Sequence, residues 1–242
     1  MKILIPTAKE LNKKAREVNE GLLGEKTKNI IDEFADKKPE ELAKIYKIKE
    51  DKAQEEYVRW QNLANHSAKS YKALELFNGL MYRNISRDDF NDEDKDYIKK
   101  NVYITTALYG VINAYEAIHE HRLDFLQNVK IKESSLKNFW RENYDRSVEN
   151  DEVIISLLSS EFEEVFSKII RDKFIKITFM EEKNGNLKTH STISKKARGK
   201  FLSEIIKRKI SDIRELETIK FDDFEYKSEL SDKNNLVFVA KR

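Results

Sequence analysis

The feature that most constrains this chain is the alternation of short apolar runs, each closed by a turn signal, with longer stretches whose apolar residues recur at helical spacing. Lys2-Ile3-Leu4-Ile5 is ended by Pro6, Val102 to Leu108 stops at Tyr109-Gly110, Val153 to Leu158 stops before Ser159-Ser160, and Leu236 to Val239 is the last such run. Runs this short and this rich in β-branched residues read as buried strands. The second and third are expected to run parallel to the first. From Thr27 to Ala73 the spacing of Ile30, Ile31, Phe34, then Leu42, Ile45, Tyr46, then Tyr57, Trp60, Leu63 predicts three helices, with Pro39 in the first turn of the second. Phe174 to Phe179 alternates, Asn184-Gly185 follows, and Leu187 to Ile193 alternates again, which predicts a hairpin. Ala197 to Ile213 has helical spacing. Strands interleaved with helices in this order predict an α/β fold, a mixed central sheet surrounded by helices.

Only two prolines and six glycines occur in 242 residues, with no Gly/Ser/Pro linker, repeat or low-complexity tract, so one domain over 1–242 is expected. The acidic stretch from Arg87 to Asp96 reads as a surface excursion, with a helix in its second half as the alternative. Thirteen Phe and ten Tyr supply a real core even though 37% of residues are charged. Lys plus Arg (46) nearly balances Asp plus Glu (44), so any electrostatic attraction to nucleic acid has to be local. The absence of cysteine excludes disulfides, thiolate nucleophiles, Cys-ligated zinc and iron–sulfur clusters. No apolar run approaches the roughly 18–20 residues that span a bilayer, and no secretory h-region follows Met1-Lys2. A cytoplasmic protein with no membrane partner is expected, and a monomer is favoured.

Several chemistries lack their signature. None of the glycines falls in a phosphate-cradling pattern, which removes Walker-A and dinucleotide motifs. Asp92-Glu93-Asp94-Lys95-Asp96 opens like an EF-hand loop, but Tyr97 stands where the turn glycine belongs and Tyr103 where the bidentate Glu belongs. A solvated acidic surface is the expectation there. His119-Glu120-His121 would put two histidines on one face of a strand, yet no third histidine lies near. Ser159 and Ser160 follow a strand without a G-x-S-x-G elbow. No metal, no cofactor and no catalytic residue is assigned, and whether the chain is an enzyme stays open, leaning to no.

An ordered set of short stretches carries a resemblance. Ile5 to Leu11 with Ala8-Lys9, Gly79-Leu80-Met81-Tyr82-Arg83, Leu108-Tyr109-Gly110 with Arg122-Leu123, and Phe139-Trp140 come first. Leu157 with Ser159 and Glu161, Lys195 to Gly199, and Phe221, Tyr226, Glu229-Leu230-Ser231 with Val237-Phe238 complete it. In this order the set resembles the YaaA family of bacterial peroxide-stress proteins over essentially the whole chain. The resemblance implies a single α/β domain, protection against hydrogen peroxide linked to lowering free intracellular iron, and DNA binding through a helix-hairpin-helix and a positively charged cleft. The hairpin would fall in the N-terminal third, at about residues 40–60. Lys47 and Lys49 stand where the usual hairpin has glycines that let backbone N–H groups approach phosphate. Lys47, Lys49 and Lys52 could instead meet phosphate through ammonium groups, or be solvated lysines of an ordinary hairpin. The chain also departs from the family at Pro6-Thr7, Asn113-Ala114, Ser156, Ser160 and Glu225.

The strongest local charge feature is Lys195 to Lys209, opposed only by Glu204. Lys195, Lys196 and Arg198, at the helix start, are candidate phosphate contacts, and the alternative is the solvated face of an amphipathic helix. Lys9, Arg83, Tyr109, Arg122, Ser159, Glu161, Lys196 and Arg198 are polar residues mostly beside strand ends or turns, where ligands sit in open α/β sheets. They are expected to converge, with Tyr82, on one cationic pocket for phosphate, nucleotide or a flipped base. The alternative makes Arg83, Arg122 and Glu161 a buried ion-pair network, and the aromatic residues plain core. The partner expected from the resemblance is double-stranded DNA without sequence preference. An enzyme acting on a nucleotide or nucleobase is the alternative, and an iron-binding protein using His119-Glu120-His121 ranks below both.

Overall fold

The computed structural model of the chain describes residues 1–19, 21 and 23–241. Its centre is a nine-stranded sheet made of β1 (Lys2–Pro6), β2 (Val102–Thr106), β3 (Gly110–Asn113), β4 (Ile154–Ser156), β5 (Phe174–Lys183), β6 (Asn186–Lys188), β7 (Lys220–Phe221), β8 (Phe224–Tyr226) and β9 (Asn235–Lys241). The order across the sheet is β7-β8-β9-β5-β4-β1-β2-β3, with β6 hydrogen-bonded to β5. The five strands from β9 to β2 are parallel, and the edges are antiparallel. Ile3 lies opposite Val102 on one side and Ile155 on the other, which sets the register at the centre.

Both faces of this sheet are covered, which is why its strands read as unbroken apolar runs. Ile3 and Ile5 pack into one core with Phe201, Ile205 and Ile98, from the helices α4 (Asp92–Asn101) and α6 (Ser191–Lys207). Leu4, which alternation turns to the other face, packs with Ile30, Phe34, Trp140 and Tyr144 from α1 (Glu25–Ala35) and α5 (Leu136–Val148). The remaining two long helices, α2 (Pro39–Tyr46) and α3 (Glu50–Ala64), form a short hairpin on that second face. Pro39 occupies the first turn of α2. Lys47 then takes φ 53, ψ 50, the left-handed conformation natural to glycine, and the chain reverses into α3. The hairpin is clamped from within by a hydrogen bond from Trp60 Nε1 to the Tyr46 hydroxyl at 3.2 Å and by Phe34 stacked on Trp60.

One local expectation held in its alternative form and one came out differently. The second half of the stretch from Arg87 to Asp96 is helical, because Asn91 and Asp94 accept each other's backbone N–H groups and start α4 with a capping box. The hairpin after β5 turns at Asn184-Gly185, but its second strand ends at Lys188 and α6 begins at Ser191, so Ile193 is helical. Residues 186–188 are exposed on both faces, and alternation there carries no burial to extend the strand. Among the described residues no helix is long and apolar enough to cross a membrane.

Candidate functional site: a cationic cleft at the sheet's carboxyl ends

The chain leaves β1 toward β2 on one side, and leaves β4 toward β5 on the other. The crevice outside the carboxyl ends of β1 and β4 is therefore a topological switch point, the usual ligand position in open α/β sheets. A cleft of about 450 Å³ opens there. Its walls are the loop after β1 (residues 6–10), the segment 79–83, the irregular segment 122–124, the turn after β4 with its short helix Ser160–Glu163, and the first turns of α6.

The walls are fixed by backbone contacts that need particular residues. A Cβ on Gly79 would sit 2.7 Å from the Cβ of Ala8, so the two segments approach as closely as they do only because position 79 is glycine. The Asn78 N–H donates to the Glu10 carbonyl at 2.8 Å, and the Tyr82 hydroxyl donates to the Pro6 carbonyl at 2.8 Å. Arg87 underpins the same segment by donating to the carbonyls of Leu74 at 2.7 Å and Phe77 at 3.0 Å. On the other wall, a Cβ at Gly199 would fall 2.2 Å from the Met81 carbonyl oxygen, so glycine is what lets α6 lie against residues 81–84.

Lys9, Tyr82, Arg83, Arg122, Ser159, Glu161, Lys195 and Arg198 all line this one cleft. Thr192, Lys195 and Arg198 recur every three residues along α6 and share its cleft-facing side, whereas the exposed Lys196 is rotated by one residue and does not line it. Tyr109 is not part of the lining either; its hydroxyl lies 2.8 Å from His119 Nδ1 and accepts the His119 N–H at 3.1 Å. Lys47, Lys49 and Lys52 stay on the helical hairpin, where Lys52 pairs with Glu55 at 2.6 Å. No residue of the hairpin is among those that line the cleft. Sequence reading passed over Thr7, Glu10, Asp124 and Thr192. Thr192 could have been found by stepping back from Lys195 by one helical turn; Asp124 sits in irregular chain without a periodic signal.

The cations of the cleft divide into two sets. Lys9 pairs with the buried carboxylate of Asp124 at 2.6 Å, and Arg83 pairs with Glu10, so both are neutralised within the protein. Arg122, Lys195 and Arg198 make no hydrogen bond or ion pair among the described residues. The Nε of Arg198 is enclosed without a partner, and so is the Thr7 hydroxyl. Burial lowers the proton affinity of the Arg198 guanidinium, with Glu163 opposing, although an arginine stays charged under such a shift. Glu161 accepts the Phe125 N–H at 3.1 Å. Burial, and next the neighbouring Asp124 carboxylate, raise its pKa above the ordinary carboxylate value, against the pull of Lys9. The arrangement is not a buried Arg83–Arg122–Glu161 network. It is a cleft with unneutralised cations and a carboxyl group held by one backbone N–H.

The His119-Glu120-His121 segment is engaged in internal contacts, although the enclosed His121 Nε2 has no hydrogen-bond partner among the described residues. His119 reaches Ser70 Oγ at 3.2 Å and Tyr109, His121 Nδ1 lies 2.9 Å from the His119 carbonyl, and Glu120 pairs with Arg59 at 3.1 Å. Among the described residues no group of three or more His, Asp or Glu is arranged to hold a metal ion.

Comparison with known proteins follows the same outline. The family described as "Peroxide stress protein YaaA" matches residues 1–230. A UPF0246 protein of Streptococcus gordonii is 48% identical over 241 residues, covering 100% of this chain and 99% of the relative. One from Streptococcus thermophilus is 47% identical over 242 residues, covering 100% and 98%, and one from Streptococcus pneumoniae is 45% identical over 241 residues, covering 100% of both.

Proposed function

This chain belongs to the family of the peroxide stress protein YaaA, and from that premise we propose that it is a cytoplasmic, monomeric DNA-binding protein that protects against hydrogen peroxide and is linked to lower free intracellular iron. Its partner is double-stranded DNA, held without sequence preference. The observation that carries this reading is the set of unneutralised cations, Arg122, Lys195 and Arg198, on one cleft, together with the exposed Lys47 and Lys49 of the helical hairpin.

With a net charge of only +2, attraction to DNA has to come from such a patch and not from the whole protein. Phosphate contacts made by side-chain ammonium and guanidinium groups fix position and carry no sequence information. They also release counterions, so the binding weakens with salt by a log–log slope of about −0.9 per contact.

The test is a salt titration of binding to a short duplex of arbitrary sequence. Wild type is compared with Arg122→Gln/Lys195→Ala and with Lys47→Ala/Lys49→Ala. The expected result is salt-weakened binding whose slope drops by roughly 2 in the double variant that removes two true contacts. Wild-type protein that ignores the duplex, or binds it equally at low and moderate salt, would sink the reading.

A further inference from the structure

The cleft holds more than a patch of charge. Two polar atoms enclosed in its lining, Thr7 Oγ1 and Arg198 Nε, have no hydrogen-bond partner among the described residues. Buried polar groups are almost always partnered, so two orphans in one cleft point to a group that arrives from outside. The same lining carries Arg122 and Lys195, which gives the missing group its chemistry: an anion with several acceptor oxygens.

The same cleft presents an acceptor. One oxygen of Glu161 takes the Phe125 N–H, and the other makes no hydrogen bond among the described residues. The lining also includes apolar surface from Leu80, Met81, the ring of Tyr82, Leu123 and Phe162. A bare phosphate would meet the cations and leave Glu161 and the apolar surface unused. The space is about 450 Å³, the size of an ordinary small-molecule site, so a duplex laid across its mouth would reach the exposed Lys195 and leave the interior unfilled.

We propose that the cleft holds one nucleotide unit, its phosphate against Arg122, Lys195 and Arg198 with the Thr7 hydroxyl, its base against the apolar surface, and an N–H of the base donated to Glu161. This rests on the anion-binding reading of the cleft and goes beyond duplex binding. The same chemistry is offered by a free nucleoside 5′-monophosphate and by an unpaired nucleotide in a strand.

The experiment is isothermal titration of the full chain with the common nucleoside 5′-monophosphates, their parent nucleosides and inorganic phosphate, alongside duplex binding by the same preparation. At least one monophosphate is expected to bind about ten-fold or more tightly than either its nucleoside or phosphate alone. Arg122→Gln and Lys195→Ala, both at the cleft's surface, are each expected to weaken it by about ten-fold. Glu161→Ala should weaken the monophosphate and leave inorganic phosphate unchanged. Displacement of the bound monophosphate by a short single strand assigns the site to strand nucleotides as well; resistance to displacement assigns it to the free metabolite. A monophosphate no tighter than phosphate, or unaffected by all three variants, overturns the proposal. Duplex binding without monophosphate binding overturns it and leaves the DNA reading standing; the reverse result removes only the DNA reading.

Discussion

The Nζ of Lys9 lies 2.6 Å from Oδ2 of Asp124, joining the loop after β1 to the irregular segment that follows Arg122. The Asp124 side chain is 4% exposed and that of Lys9 is 45% exposed, so the pair is half in water. Asp124 also accepts the Leu126 N–H at 2.9 Å, which fixes its carboxylate in place.

Removing the lysine leaves a buried carboxylate without its counter-charge. Lys9→Ala is expected to lower stability by about 1–2 kcal/mol, less than for a fully buried pair because the lysine is partly solvated. Lys9→Ala/Asp124→Asn should recover much of that loss. A double-mutant cycle by urea denaturation measures the coupling, and strict additivity would show that the pair contributes nothing.

Gly199→Ala puts a methyl group 2.2 Å from the Met81 carbonyl oxygen and 3.0 Å from the Asn84 carbonyl carbon. Both are backbone atoms, so α6 has to move away from residues 81–84. A loss of roughly 2 kcal/mol or more in chemical denaturation is expected, together with weaker ligand binding, since Met81 and Arg198 both line the cleft.

Lys47 holds a left-handed conformation at the turn of the helical hairpin. A residue with a Cβ is strained there by about 1 kcal/mol relative to glycine. Lys47→Gly is therefore expected to leave thermal stability unchanged or raise it slightly, while Lys47→Val lowers it. In the salt titration, Lys47→Gly also separates the turn's geometry from its charge, because it supplies a glycine suited to the left-handed turn while deleting an ammonium group.

His121 is fully enclosed beside Phe77 and Tyr109, and burial lowers its pKa from 6.5 to about 4. Between those values the unfolded chain binds the proton and the folded chain does not, so stability falls as pH drops through that window. Above about 6.5 the penalty is absent. Integrated over the window this amounts to about 3 kcal/mol. Unfolding midpoints measured from pH 7 to 4 should decline in wild type and decline less in His121→Gln.

Glu161 titrates with the opposite sign. Its folded-state pKa is raised, so ionisation is harder in the folded protein, and stability is lost as pH rises from the ordinary carboxylate value through the raised one. Glu161→Gln keeps an acceptor for the Phe125 N–H and removes the charge beside Asp124. Its melting temperature should exceed that of wild type at neutral pH and match it in acid. No gain at neutral pH would mean that neither burial nor Asp124 burdens the ionised Glu161.

The apolar runs at Ile3, Val102, Ile154 and Leu236 were legible because a parallel sheet buried on both faces imposes a local pattern that no distant residue needs to supply. The helices around Phe34, Leu42 and Trp60, the Pro39 start and the family resemblance were legible for the same reason: each is written in residues a few positions apart. That the strand-end residues Lys9, Ser159 and Glu161 belong together also followed from their position after strands, without knowledge of the loops.

Tertiary structure alone decided which charges remain available. Arg83 and Lys9 are neutralised by Glu10 and Asp124, and Arg122, Lys195 and Arg198 are not, a difference invisible in a chain where lysines and arginines look alike. Lys195 rather than Lys196 enters the cleft because Gly199 sets the rotation of α6 against residues 81–84. Tyr109 turns into the core because His119 offers it two hydrogen bonds. Sequence periodicity reports which face of an element is buried; pairing between groups scores of residues apart depends on the path of irregular loops, and that path leaves no period to read.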